Sequence, residues 1–190
     1  MHFSIHQGML TSVRYAASPH YDARPVGTEI DLLVIHSISL PPGDHETQYI
    51  EDFFCGEGLD PALHPYFATL QAVRVSAHLL IARGGEVIQF VPFTQRAWHA
   101  GESFFDGRTR CNDFSIGIEL VGTDDTEYTD QQYARLVEVI FALQAVYPKI
   151  THDRIVGHSE IAPGRKTDPG KKFDWQRLKQ LLEVTQGTVP

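Results

Sequence analysis

Residues Phe114–Val121, FSIGIELV, decide how this chain folds. Successive residues of a strand point to opposite faces of a sheet. Phe114, Ile116, Ile118 and Leu120 therefore share one face, and Ser115, Gly117 and Glu119 share the other. The bulky face has to pack into a core. The other face carries two small residues and then one carboxylate, whereas a merely solvated face would carry larger polar side chains such as Thr or Lys. The strand is expected to floor a cavity, with space beside Glu119. A second strand lies upstream in Ile30–Ile38, IDLLVIHSI, whose apolar run Leu32–Ile35 reads as buried on both faces, as in a parallel sheet. His36 ends that run just before the turn Ser39–Gly43, at the kind of strand exit where α/β sites gather.

Working outward, HETQYIEDFF (45–54) has helical spacing and is stopped by Gly56 and Gly58, and 59–73 reads as a loop carrying HPYF at 64–67. VSAHLLIA (75–82), the turn Arg83-Gly-Gly85 and EVIQFV (86–91) make a β-hairpin. His78, mid-strand between Ala77 and Leu79, is read as structural. The segment 96–113 is a long aromatic and arginine-bearing loop, and loops of that length are commonly binding loops or lids. Thr129 with Gln132 forms a capping box that opens a helix reaching Tyr147, where Pro148 ends it. A strand at Arg154–Val156 and a helix at Asp174–Leu182 follow, while the first thirty residues read as irregular. Strands and helices mix without strict alternation. The expected fold is α/β, a single domain over 1–190 with a central mixed β-sheet flanked by helices.

The net charge of -8 argues against nucleic acid as a partner, because phosphate binding relies on a basic surface. Cys55 and Cys111 make no disulfide framework and suit a reducing compartment. No apolar run is long enough to span a membrane, and the N-terminus lacks the pattern of a signal peptide. A cytoplasmic enzyme or binding protein is expected.

The loop GHSEIAPGRKTDPG, 157–170, holds an imidazole, a lysine and a carboxylate. Its prolines and glycines are expected to exclude a regular helix or central strand and to set its shape through turns. His158 and Asp168 are capable of binding a metal, and with His36 they would supply two histidines and one carboxylate. That set suits catalytic zinc, which takes three protein ligands and leaves a fourth position for water; iron and manganese also fit it. A hydrolytic site needs in addition a base and a group that steadies the oxyanion. Glu119 suits the first task and Lys166 the second.

These segments carry a resemblance. LLVIHSISLPPG (32–43), HPYF (64–67), RVSAH (74–78), RAWHAG (96–101), RCNDFSIGIELVGTD (110–124) and the 157–170 loop resemble, in order, the AmpD branch of the zinc N-acetylmuramoyl-L-alanine amidases. Those are relatives of the T7-type lysozyme amidases and the peptidoglycan recognition proteins. The motif-bearing core runs from about 18 to 175. The resemblance implies the peptidoglycan recognition protein/T7-lysozyme-like fold, and one zinc ion (Zn2+) per chain on His36, His158 and Asp168. It further implies catalysis by Glu119 and Lys166. Arg110 and Arg74 would pair with peptide carboxylates, and Trp98 and Tyr66 would flank the substrate.

The substrate so implied is a small 1,6-anhydro-N-acetylmuramyl tri-, tetra- or pentapeptide recycled from the wall, cleaved by a cytoplasmic monomer. The resemblance also implies that such turnover lowers the muropeptide signal that induces β-lactamase in some bacteria. One position departs from the pattern: the residue after the first zinc histidine is asparagine in the best-known relatives and Ser37 here. The alternatives are an amidase of intact peptidoglycan and a non-catalytic muropeptide-binding protein.

Overall fold

The structure, a computed structural model, describes residues 3–186. Among them, six strands form one mixed sheet. In chain order these are β1 (Arg14–Tyr15), β2 (Leu32–Ile38), β3 (Leu79–Ile81), β4 (Val87–Gln89), β5 (Ser115–Val121) and β6 (Ile155–Gly157), arranged β6-β2-β5-β3-β4-β1. β6, β2, β5 and β3 run parallel, β3 and β4 form the antiparallel hairpin, and β1 pairs parallel with β4. The hairpin turn uses Gly85 at φ +84°, a conformation that costs glycine nothing. The first thirty residues are not wholly irregular: they contribute β1 and three short strands at Ile5–His6, Met9–Leu10 and Tyr21–Ala23.

The sheet separates two cores. Below it, helix α2 (Asp130–Val146) lays Tyr133, Leu136, Ile140 and Leu143 against Ile116, Ile118 and Leu120 of β5 and Leu33 and Ile35 of β2. Thr129 and Gln132 close the expected capping box, and the Gln132 side chain also donates to the Val121 carbonyl at 2.9 Å. After the short α3 (His158–Ile161), the last helix, α4, spans Trp175–Gln186 and adds Leu178 and Leu182 to the same core. Above the sheet, α1 (Gln48–Phe54) and the 3-10 turn Pro65–Leu70 pack Ile50, Phe54 and Phe67 on Leu80 and Ile88.

Phe114 departs from the strand reading. It precedes β5 and packs on the upper side with Leu32, Val34 and Ile161, because the 3-10 turn Cys111–Asp113 rotates it out of the strand's alternation. The 157–170 loop also begins differently from expectation. Gly157 ends β6, at the sheet edge, and His158–Ile161 form one helical turn, α3, before the first proline. The helix-breaking residues Pro163, Gly164, Pro169 and Gly170 act only after that turn.

Candidate metal centre and substrate groove

The parallel register assembles the site. Glu119 of β5 pairs with His36 of β2, so the two side chains stand side by side on the upper face. Gly157 of β6 pairs with Ile35, and the next residue, His158, therefore continues alongside His36. The 157–170 loop then folds back, with the Ser159 amide donating to the Asp168 carbonyl at 3.0 Å and the Tyr128 hydroxyl donating to that of Pro169 at 2.8 Å. Gly170, at φ +84°, passes so close to Asp124 that a β-carbon there would collide with its backbone.

Three donor atoms meet as a result. His36 Nδ1 lies 2.9 Å from His158 Nδ1 and 3.1 Å from Asp168 Oδ2, and His158 Nδ1 lies 3.0 Å from the same oxygen. Ligands on one tetrahedral zinc at about 2.0–2.2 Å are separated by roughly 3.3 Å, so the triangle is close to the size such an ion draws together. The other ring nitrogens are already engaged: His158 Nε2 faces the Ala100 carbonyl at 3.1 Å, and His36 Nε2 faces His99 Nδ1 at 2.9 Å. A proton on each Nε2 leaves both Nδ1 lone pairs aimed at the same point as the carboxylate, and this donor set fits a divalent metal.

Burial shapes the electrostatics. It pushes the His36 imidazole down to about 4, against the opposing pull of Asp168. His99 and His78 are pushed well below the usual histidine range, again first by burial, so both are neutral at pH 7. For Asp168 burial would raise the proton affinity, but hydrogen bonds to His158 and His36 override it and hold the carboxyl well below its usual range. Glu119 is the opposite case. Burial, with the Asp168 charge added, drives its carboxyl well above the usual range, and nearby Lys166 offsets only part of that. Its Oε2 is buried without a hydrogen-bond partner, which is uncommon for a buried polar atom.

A groove of about 660 Å³ opens over this constellation. His36, His158, Asp168, Glu119 and Lys166 all line it, as do Trp98 and Tyr66 on its walls. Trp98 stacks on His20 at 6.1 Å between ring centres, and its amide donates to Ser76 Oγ at 3.1 Å. Arg74 and Arg110 do not line the groove. The Arg74 guanidinium turns back on the Gln71 and Val73 carbonyls of its own loop, and Arg110 is exposed beside Asp113. His78 lies outside the groove: its Nδ1 accepts from the Gly117 amide at 3.0 Å and its Nε2 is 3.1 Å from Arg24.

Two residues escaped the sequence reading. The small-residue face of β5 does open space, but the His99 ring fills it over Gly117, where a β-carbon would collide with the imidazole. A glycine inside a strand marks close approach of another group, and that was the available signal. Arg24 gave no signal. Arriving from a remote loop, it donates to the carbonyls of Phe93, Asn112, Asp113 and Ser115.

The family described as N-acetylmuramoyl-L-alanine amidase (Amidase_2) matches residues 26–171, a span that holds every residue of the constellation. The chain belongs to the N-acetylmuramoyl-L-alanine amidase family. It is 55% identical over 173 residues to the 1,6-anhydro-N-acetylmuramyl-L-alanine amidase AmpD of Haemophilus influenzae, covering 91% of this chain and 94% of that protein. The AmpD of Escherichia coli K12 is 53% identical over 178 residues, covering 94% and 96%. A crystal structure of a selenomethionine AmpD derivative superposes with a TM-score of 0.90 at 53% identity, covering 94% of this chain and 98% of that one. The amidase AmiD from E. coli, solved with anhydro-N-acetylmuramic acid-L-Ala-D-γ-Glu-L-Lys, gives a TM-score of 0.61 at 29% identity, covering 94% and 65%. The expected fold class is borne out, and the chain is an AmpD-type amide hydrolase with a metal-capable site.

Proposed function

We propose that this amidase cleaves the bond between the lactyl group of 1,6-anhydro-N-acetylmuramic acid and L-alanine, using one zinc ion held by His36, His158 and Asp168. The observation that carries the reading is the three-donor triangle beside a buried carboxylate with one unpartnered oxygen. Zinc at such a site supplies Lewis acidity, polarising a carbonyl and lowering the pKa of bound water to about 7.

The chain's own groups would do the rest. Glu119, with its high proton affinity and free Oε2, takes the proton of the attacking water and returns it to the departing alanine nitrogen. Lys166, on the groove wall, donates to the carbonyl oxygen as it gains negative charge. Trp98 and Tyr66 would flank the sugar and the first peptide residues. Arg110 and Arg74, outside the lining, would meet only the outer peptide carboxylates. Ser37 also lines the groove.

The working unit is proposed as one domain and a cytoplasmic monomer that handles soluble recycled muropeptides. Among the described residues no helix is long and apolar enough to cross a membrane. The test is hydrolysis of an anhydromuramyl tripeptide, followed by release of free tripeptide, with and without chelator and against polymeric peptidoglycan. Zinc-dependent cleavage of the soluble substrate in preference to the polymer is the expected result. Chelator-insensitive cleavage would refute the metal role, and preferential attack on the polymer would refute the recycling role.

A further inference from the structure

We propose that His99 is a positioning residue that holds His36 in the one tautomer able to present Nδ1 to the metal; this rests on the metal reading above. His36 is buried, and its Nε2 is 2.9 Å from His99 Nδ1, with the two rings edge to face at 84°. For His36 Nδ1 to offer a lone pair, the ring proton must sit on Nε2. Something must then accept that proton's hydrogen bond. His99 Nδ1 is the atom in place. Its own proton then belongs on Nε2, which faces the Ser115 hydroxyl at 3.1 Å.

The chain holds His99 from three sides. The Asn112 side-chain oxygen accepts from the amides of His99 and Ala100, at 3.1 and 2.8 Å, which pins the backbone of this dipeptide. Gly117 leaves room for the ring where any side chain would displace it. Ser115, two residues earlier on the same strand face, meets the far nitrogen. The adjoining Ala100 carbonyl does for His158 what the His99 ring does for His36. The small-residue face of β5 is thus shaped to seat an imidazole whose work is on another imidazole. Removing the partner of a metal-bound histidine weakens metal affinity by about 10–100-fold.

The experiment measures zinc dissociation constants, by competition with a chromophoric chelator, for the wild type, His99→Phe, His99→Gln and Ser115→Ala. His99→Phe keeps a ring of similar size but cannot accept; His99→Gln offers a carbonyl oxygen in its place. Long-range 1H–15N spectra of the metal-free proteins report the His36 tautomer, and thermal melts report folding. The expected result is a roughly 10–100-fold loss of zinc affinity in His99→Phe, with the Nε2–H tautomer of His36 no longer dominant. His99→Gln should restore most of the affinity, and Ser115→Ala should fall between. Wild-type affinity in His99→Phe, or equal losses in the Phe and Gln variants, would overturn the proposal. Should His99→Phe fail to fold, unchanged zinc affinity and tautomer in Ser115→Ala would overturn it instead. A wild-type protein that binds no stoichiometric zinc would refute the metal reading itself, a failure distinct from the others.

Discussion

Replacing Glu119 with Gln separates chemistry from stability in one variant. The carboxyl is buried, one of its oxygens has no partner, and the Asp168 charge acts on it unfavourably. Loss of a general base costs about 10²–10⁴-fold in turnover, or roughly 3–5 kcal/mol of barrier at about 1.36 kcal/mol per decade. At a pH where the carboxyl is ionised the same change also removes a buried charge, a penalty of about 1–3 kcal/mol. For a chain of this length each kcal/mol moves the midpoint by about 2–4 °C. Glu119→Gln should therefore lose nearly all turnover of an anhydromuramyl tripeptide, keep its zinc, show a similar KM, and melt a few degrees higher. Steady-state kinetics, metal analysis and calorimetry check the three parts. Turnover above about a tenth of wild type would remove Glu119 as the base, and a clearly lower Tm would make it a structural residue.

Other outcomes follow from the same geometry. Lys166→Ala should lower kcat more than it raises KM, because its contact forms with the charged transition state; a pure KM effect would contradict that role. Gly117→Ala should destabilise by about 1–3 kcal/mol, since the new methyl meets the His99 ring, as read from urea unfolding. Arg24→Met should cost on the order of 3 kcal/mol, because the buried carbonyls of Phe93, Asn112, Asp113 and Ser115 lose their charged donor.

The metal-free protein should also weaken as pH falls from about 6.5 towards about 4, because His36 in the fold takes its proton only near about 4, so the unfolded chain binds it first. The loss from His36 alone approaches about 3 kcal/mol. Glu119, raised by burial, acts with the opposite sign, so urea midpoints are best compared in the Glu119→Gln background. A flat profile there would refute the assignment.

The sequence by itself determined the layers of this protein and the donor groups that its loop carries. Alternation in β5, the apolar run of β2 and the capped stripe of α2 are local patterns, and each formed where its own residues required. Motif order likewise marked His36, His158, Asp168, Glu119 and Lys166. Only the tertiary structure decided what stands over the small-residue face. His99 arrives there from another loop, and no periodicity in β5 records which side chain fills the space above Gly117. It also decided that Arg24 would reach Phe93, His78 and the stretch from Asn112 to Ser115, and that Arg74 and Arg110 would stand outside the groove. Local pattern carries burial and turn geometry because those depend on neighbours in the chain. Which distant side chains meet depends on strand register and loop path, which become definite only when the sheet is assembled.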